Sequence, residues 1–420
     1  MDFATGWAHI LGMDRDYDVI IAGGGLNGPA LALALAQGGL RVLVVDARPA
    51  SARASEGFDG RAYALALASQ RLLSALGVWP AVAALAQPIL GIRTSDGVPP
   101  EGAAPFLLGF DHGELDEGAM GFMVEDRHLY AAFLAVLEAA PGVTLRSGDS
   151  VVGQRVDGAQ VTVALASGQV LRAALLVGCD GRTSGVAQRA GIRRHGWGYG
   201  QTALVGAIRP EHPHQGLAHQ VFLPEGPLAI LPLRGGLASI VWSESEANAR
   251  TIAAMGDEEY RVLLESRIGH LTGHLDLAGP RFSYPLTLTL ADRYAAPRIA
   301  LVGDAAHGVH PIAGQGLNLG LRDVAALAEV LAEARARGED IGAVDVLERY
   351  QLWRRFDSTV LALGMDAVNR LFSNTNPFLR AVRGLGMRAV AAMPGPRRSF
   401  IREAAGLSGT LPKLLSGQRL

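Results

Sequence analysis

Residues 17–47, YDVIIAGGGLNGPALALALAQGGLRVLVVDA, leave the chain few ways to fold. Val19–Ala22 is a short apolar run, as a strand buried on both faces should be. Gly23, Gly25 and Gly28 follow at G-x-G-x-x-G spacing. Pro29 stands where the first turn of a helix tolerates proline, ALALALAQ continues with strong helix formers, and Gly38 and Gly39 stop it. RVLVV is the next strand and ends at Asp46, 18 residues beyond Gly28. This order predicts a dinucleotide-binding unit of strand, glycine turn, helix and parallel strand. Glycine lets the backbone approach a pyrophosphate, and the helix N-terminus adds unpaired N–H groups and a partial positive charge. The carboxylate accepts hydrogen bonds from ribose hydroxyls. The spacing recurs loosely at Gly384, Gly386 and Ala389, but no strand precedes it there.

A second stretch, GDAAHGVHPIAGQGLNLGLRD at 303–323, is rich in glycine and poor in charge. Asp304, His307 and His310 are spaced like ligands on one helical face. Gly308 and Pro311 interrupt any such helix, so a metal site is not expected. RIALVGD before it reads as a buried strand that delivers Asp304 to its C-terminal end, where ligands gather in open α/β sheets. A helix begins near Gly316, and its N-terminal N–H groups suit an atom that gains negative charge.

The rest of the chain reads as a return to the same unit after an insertion. Residues 61–77 look helical, and 88–120 read as loops rich in glycine, proline and acidic residues. A helix spans about 126–140. QVTVALASGQVLRAALLVGCDG is a hairpin-like pair of strands. Period-two patterning from 201 to 245 predicts antiparallel sheet. The expected divisions are 14–87, 121–185 and 291–335 for a discontinuous nucleotide-binding domain. They are separated by substrate-side loops at 88–120 and a sheet-rich substrate domain at 186–290, and C-terminal helices fill 336–420.

With 420 residues, 49% of them hydrophobic, there is ample material for a core. A net charge of −2 gives no reason to expect nucleic acid. Cys179 is the single cysteine, which excludes a dithiol redox centre. Lys413 is the single lysine, so a lysine catalyst in the body is excluded as well. The N-terminal stretch lacks a long apolar run, and the reading leaves Met1 and Met13 both open as the start. A cytoplasmic protein without a transmembrane helix is expected.

Three segments together resemble a known group. GGGLNG with Asp46, LLVGCDGRTSGVAQRAGI, and GDAAHGVHPIAGQGLNLGLRD are similar to the three motifs of the class A FAD-dependent aromatic hydroxylases. GRAYALALASQRLLSALGVW and REAAGLSGTLPKLL look most like the ubiquinone-biosynthesis hydroxylases within it. The resemblance implies an α/β fold: a Rossmann-like FAD-binding domain of the para-hydroxybenzoate hydroxylase type, an inserted sheet-rich substrate domain and a helical C-terminus. It implies non-covalent FAD, with Gly23, Gly25 and Gly28 at the pyrophosphate and Asp46 at the adenosine ribose. Arg61 and Arg127 match arginines at the phosphate or ribityl groups, and Asp304 would bind the ribityl chain. Pro311 would lie near the ring, with Gly314, Gln315, Gly316 and Leu317 around its pyrimidine edge. Asp180 and Gly181 match the motif that serves FAD and NAD(P)H. Cys179 stands where a small apolar residue is usual, and a buried cysteine substitutes fairly. Arg61 and Arg127 also read as surface ion pairs, and Asp180 as a helix cap.

The implied reaction is hydroxylation of the aromatic ring of a polyprenylated phenol in ubiquinone biosynthesis. Flavin reduced by NAD(P)H or another electron donor adds O2 to form a C4a-hydroperoxide, whose distal oxygen goes to the ring. No proton-transfer residue is assigned. VFLPEGPLAILPL offers candidates for the pocket wall. The resemblance also admits contact with other ubiquinone-biosynthesis proteins. On a helical wheel Phe378, Leu379, Val382, Leu385, Ala389, Val390 and Met393 share one arc and Arg380, Arg383 and Arg388 lie opposite. That pattern fits a tail, 377–420, resting on an anionic membrane, and equally a terminal helix packed on the body. The alternatives in function are a class A hydroxylase of a small soluble phenol and a non-catalytic FAD-binding assembly or redox-sensing subunit.

Overall fold

The computed structural model describes residues 15–49, 58, 60–98, 102–103, 108–114, 117–309, 314–372 and 393–420. Five strands run parallel in the order Ile299–Leu301, Val170–Gly178, Tyr17–Ala22, Val42–Asp46 and Val143–Ser147. The two strands of the glycine-turn unit are buried along most of their length, as their unbroken apolar sequence requires. A hairpin of Val151–Asp157 and Gln160–Leu165 extends the sheet in antiparallel fashion beside Val170–Ala173. Helices Asn27–Gln37 and Gln315–Ala336 share the main core with this sheet. Most of their residues are buried, in keeping with their alanine- and leucine-rich sequences.

A second sheet of ten strands carries the inserted region. Its centre is an antiparallel meander, Arg194–Pro210, Ala238–Ser245, Gly226–Pro232 and Leu217–Leu223. Helices Glu246–Ala254 and Asp257–Thr272 cover one face, over Leu204, Leu228, Ile230, Ile240 and Trp242. On the opposite face Ala203, Val205 and Val241 cluster with Leu286, Tyr199 and Tyr284. Ala218 and Leu231 of that face meet Ala62 and Ala64 in another. A long helix, Val344–Phe372, bridges the two sheets. Near its start the Tyr350 hydroxyl donates to the Leu301 carbonyl at 2.6 Å, and at its end the Phe372 ring lies 4.2 Å from Phe222.

Two expectations from sequence are corrected. Residues 61–77 are not one helix: Ala62–Ala66 is a strand paired with Gly121–Glu125, and the helix covers only Leu67–Ala75. The helix-forming alanines are overridden by this distant pairing. Residues 88–120 are not simply loops either. Gly91–Val98 is a strand of the ten-stranded sheet, parallel to Leu217–Leu223 and antiparallel to Leu108–Asp111. Its parallel partner lies more than a hundred residues away in sequence and its antiparallel one is only four residues long, so the local pattern does not announce it. The apolar arc at 378–390, like His310 and Pro311, falls outside the described residues.

Candidate cofactor and substrate site

The C-terminal ends of the parallel strands converge on the first glycine turn. Gly23 N donates to Val45 O at 2.8 Å and Cys179 N donates to Ala22 O at 2.8 Å, while Val302 N reaches Gly178 O at 3.0 Å. Gly23 sits at φ +108°, and a Cβ there would overlap the Cys179 carbonyl. A Cβ on Gly28 would overlap Gly23 O. These positions therefore accept only glycine. Gly24, outside the motif spacing, is equally constrained, because a Cβ there would press into the Asp46 carboxylate. Asp46 is buried and accepts from Arg48 N at 2.8 Å. An open cleft lined by Arg146, Ser147 and Gly148 lies at the end of the next strand.

The second glycine turn is built against the first. Gly303 has φ +63°, and a Cβ on it or on Gly320 would strike the Asn27 side chain. Asn27, the residue before Gly28, thus packs between the strand-end turn and the long helix. Its Oδ1 is buried without a hydrogen bond among the described residues. Asp304, half-exposed, pairs with Arg182 Nε at 3.2 Å, and its carbonyl accepts from Arg194 Nη2 at 2.8 Å.

Beneath this turn lies a buried charged cluster. Asp323 Oδ2 accepts from Gly303 N at 3.0 Å and lies 2.6 Å from His307 Nε2. Asp323 Oδ1 accepts from Arg354 Nε at 2.9 Å, and Arg354 continues to Asp357 and Ser358. Burial, the largest influence on the Asp323 carboxyl, pulls its pKa upward. His307 and then Arg354 outweigh it and hold the group below its ordinary value. Burial pushes the Cys179 thiol well up, which removes it as a nucleophile at neutral pH.

Gln315–Ala336 starts from Gly314 in the left-handed region, at φ +63°. Among the described residues no side chain caps this N-terminus and no acidic residue occupies its first turn; the same holds for Asn27–Gln37. Both present main-chain donors to whatever lies before them. A Cβ on Gly314 would come within 2.9 Å of Ala64 Cβ. Asn318 fixes that approach. Its Nδ2 donates to Ala64 O at 2.8 Å and to Gly314 O at 3.3 Å, while its Oδ1 accepts from Ala66 N at 2.9 Å and Ser69 Oγ at 2.8 Å. A Cβ on Gly316 would meet open space, and Leu317 packs at the edge of the core.

Other residues singled out in the sequence have protein partners. Arg61 pairs with Asp126 at 2.8 Å and Arg127 with Glu125 at 2.7 Å, where the Ala62–Ala66 strand meets the Asp126–Ala139 helix. Asp180 accepts from Ser184 Oγ at 2.5 Å and from Val186 N at 3.0 Å, which makes it a brace for the Gly185–Arg189 helix. Gly181 turns the chain at φ +79° in open space. Gly24, Asn27, Arg182, Arg194, Asn318, Asp323 and Arg354 were not predicted. Asn318 and Asp323 left a trace in sequence, as polar residues on a helix whose other positions demand burial. Among the described residues no three His, Cys, Asp or Glu side chains come together as a metal site.

These residues fit FAD: glycines at 23, 28, 303 and 314 where a Cβ would collide, two helix ends without a side-chain cap among the described residues, and a carboxylate at the end of the second strand. The comparisons with known proteins agree. The family described as FAD binding domain matches residues 16–355. Ubiquinone hydroxylase UbiL of Rhodospirillum rubrum is 44% identical over 407 residues, covering 96% of this chain and 94% of that protein. The 3-demethoxyubiquinol 3-hydroxylase of Escherichia coli is 40% identical, covering 93% of this chain and 98% of that one. Among solved structures, p-nitrophenol 4-monooxygenase PnpA of Pseudomonas putida superposes with a TM-score of 0.78 at 21% identity, over 94% of this chain and 99% of that one, and shares the fold. The chain belongs to the FAD-dependent ubiquinone-biosynthesis hydroxylases, a family of flavin monooxygenases.

Proposed function

We propose that the protein hydroxylates the aromatic ring of a polyprenylated phenol in ubiquinone biosynthesis, with O2 as co-substrate and NAD(P)H or another donor as reductant. The observation that carries this reading is the pairing of the two glycine turns through Asn27, in a chain similar over nearly its full length to ubiquinone hydroxylases. When bound, FAD supplies the electron storage and oxygen activation that amino-acid side chains lack.

The chain's own residues then hold, orient and shield. Gly23, Gly25 and Gly28 take the pyrophosphate and Asp46 the adenosine ribose, next to the cleft beside Arg146. Asp304 takes the ribityl chain, exchanging its contact with Arg182; Pro311, which the resemblance assigns to the ring, lies outside the described residues. Gly314, Gln315, Gly316 and Leu317 turn main-chain N–H groups toward the pyrimidine edge, where negative charge gathers on reduction. Arg61 and Arg127 bring positive charge within reach of the phosphates. Asp180 and Gly181 shape the wall beside the first turn. The ring of the phenol would rest against the face of the ten-stranded sheet opposite its two helices, near Ala203, Val241 and Leu231, and this apolar wall keeps water from the reacting oxygen. The segment 377–420 carries eight basic residues against one acidic residue, Glu403, which supports contact with an anionic membrane that stores the substrate. No helix among the described residues is long and apolar enough to cross a membrane.

The test is mass spectrometry of quinone precursors in cells lacking the gene. A polyprenylated phenol short of one ring oxygen should accumulate and disappear on complementation. An unchanged quinone pool, with turnover of a small phenol by the purified enzyme, would replace this substrate with a soluble one.

A further inference from the structure

Gln220 stands on the substrate-side face of the ten-stranded sheet without a protein partner among the described residues. Within Leu217–Leu223, Val221 and Leu223 pack beneath the two covering helices, so Ala218, Gln220 and Phe222 point to the opposite face. Ala218 and Phe222 are both buried. Ala218 clusters with Ala62 and Ala64, and the Phe222 ring meets Phe372. Gln220 between them is only partly buried. Its cross-strand neighbour Ala229, and Val241 beyond, are also only partly buried. An opening therefore runs across the strands between two closures that lie four residues, or about 13 Å, apart. That span accommodates one aromatic ring.

Ala229 and Val241 make the floor of this opening apolar, and Gln220 breaks the pattern. Among the described residues its amide makes no hydrogen bond, and neither amide atom is fully buried. Its polar neighbours are committed. Thr94, opposite it on Gly91–Val98, donates its hydroxyl to Leu108 O at 3.0 Å. Gln201, on the same face, donates Nε2 to Glu225 O at 2.6 Å and accepts from Asn369 Nδ2 at 3.0 Å. A polar group that folding leaves unpaired on an apolar face costs stability, and a ligand's polar group offsets that cost. The flavin-side helix starts nearby. Ala218, about 7 Å along the strand from Gln220, clusters with Ala64, and a Cβ on Gly314 would lie 2.9 Å from Ala64 Cβ. A ring in the opening thus has Gln220 on one side and that helix start close by.

We propose that Gln220 is a specificity-determining residue that holds the ring hydroxyl of the phenol. Its Oε1 accepts from the phenol O–H. A primary amide also donates through Nε2, so the contact survives when the oxygen loses its proton. Holding that oxygen fixes which ring carbon faces the flavin, so Gln220 governs orientation as well as affinity. The inference rests on the phenol reading above and holds whatever the length of the prenyl tail.

Titration of the FAD-loaded full chain with 2-prenylphenol and with prenylbenzene, followed by the change in flavin absorbance, tests it. The wild type should bind the phenol about five- to tenfold more tightly than prenylbenzene, the scale of one neutral hydrogen bond. Gln220→Met keeps the side chain's length and removes both polar atoms. It should retain FAD and bind the two compounds alike, through weaker binding of the phenol. In a single turnover of chemically reduced enzyme with O2, the variant should give less hydroxylated phenol and correspondingly more hydrogen peroxide than wild type. Gln220→Leu is the second variant, should Gln220→Met fail to load FAD. A preference for the phenol that both variants retain overturns the proposal and leaves the phenol reading standing. Equal affinity of the wild type for the two compounds does the same. A wild type that binds neither compound overturns the phenol reading, and the proposal with it.

Discussion

His307 Nε2 lies 2.6 Å from Asp323 Oδ2, with both side chains buried, and the same oxygen accepts from the backbone of Gly303 at 3.0 Å. One carboxylate therefore ties together the residue before Asp304, the imidazole four positions further on, and, through its other oxygen, Arg354 of the bridging helix. The turn that would hold the ribityl chain is fixed from below by charge, while its upper side is left to the main chain.

Asp323→Asn keeps the shape of that junction and removes its charge, leaving Arg354 buried beside a neutral amide. Breaking a buried pair in this way costs about 3–5 kcal/mol. Urea unfolding of the variant should show a loss of that order. A loss under about 1 kcal/mol, the scale of an exposed pair, would mean that the cluster does not hold the turn.

The same group sets an acid dependence. Its folded pKa lies below the ordinary 3.8, so its contribution is complete above 3.8 and disappears as pH falls through the lowered value. Wild-type stability should drop more steeply than that of Asp323→Asn below pH 3.8. Parallel curves would contradict the assignment.

His219 gives a second window. Burial first, and then Arg93 and His270, push its pKa from 6.5 down to about 4. The unfolded chain takes up this proton before the folded one does. Stability from this position is complete above pH 6.5 and is lost as pH falls toward 4. His219→Gln should flatten the stability curve across that window, as read by chemical denaturation at pH 7 and pH 4.5. A slope unchanged from wild type would count against a neutral, partly buried imidazole.

Gly28→Ala and Asn318→Ala separate two ways of losing the cofactor. The added methyl of the first meets Gly23 O with no room to relax, so folded protein should purify almost free of flavin. The second removes four hydrogen bonds, two to the Ala62–Ala66 strand, one to Ser69 and one to Gly314, and should cost about 2–4 kcal/mol of stability. Its FAD affinity should weaken by a smaller factor than in Gly28→Ala. Flavin content by absorbance and fluorescence titration decides both.

Much of this site was legible because it consists of glycines placed by turn geometry. Gly23 and Gly28 announce themselves by spacing, and their backbone contacts explain why nothing larger fits. The meander was legible from its alternation over residues 201–245. The Ala62–Ala66 strand was not, since alanine and leucine favour a helix and only pairing with Gly121–Glu125 makes it a strand. Its alanines make sense once Gly314 is seen to approach Ala64. Gly91–Val98 was hidden because its parallel partner lies far along the chain and its nearby antiparallel one is only four residues long. Asn27, Arg182 and Arg354 were missed because a polar residue's partner, unlike a turn's glycine, is not encoded nearby.

The central claim is that one FAD is held between the Gly23–Gly28 turn and the Asp304–Leu317 segment. Titration of flavin-free protein with FAD, followed by calorimetry, tests it most directly. The account predicts one FAD per chain for the wild type, weaker binding for Asp46→Ala, and binding largely abolished in folded Asp304→Ala. Wild-type protein that takes up no FAD, or Asp304→Ala that binds it with undiminished affinity and stoichiometry, would contradict it.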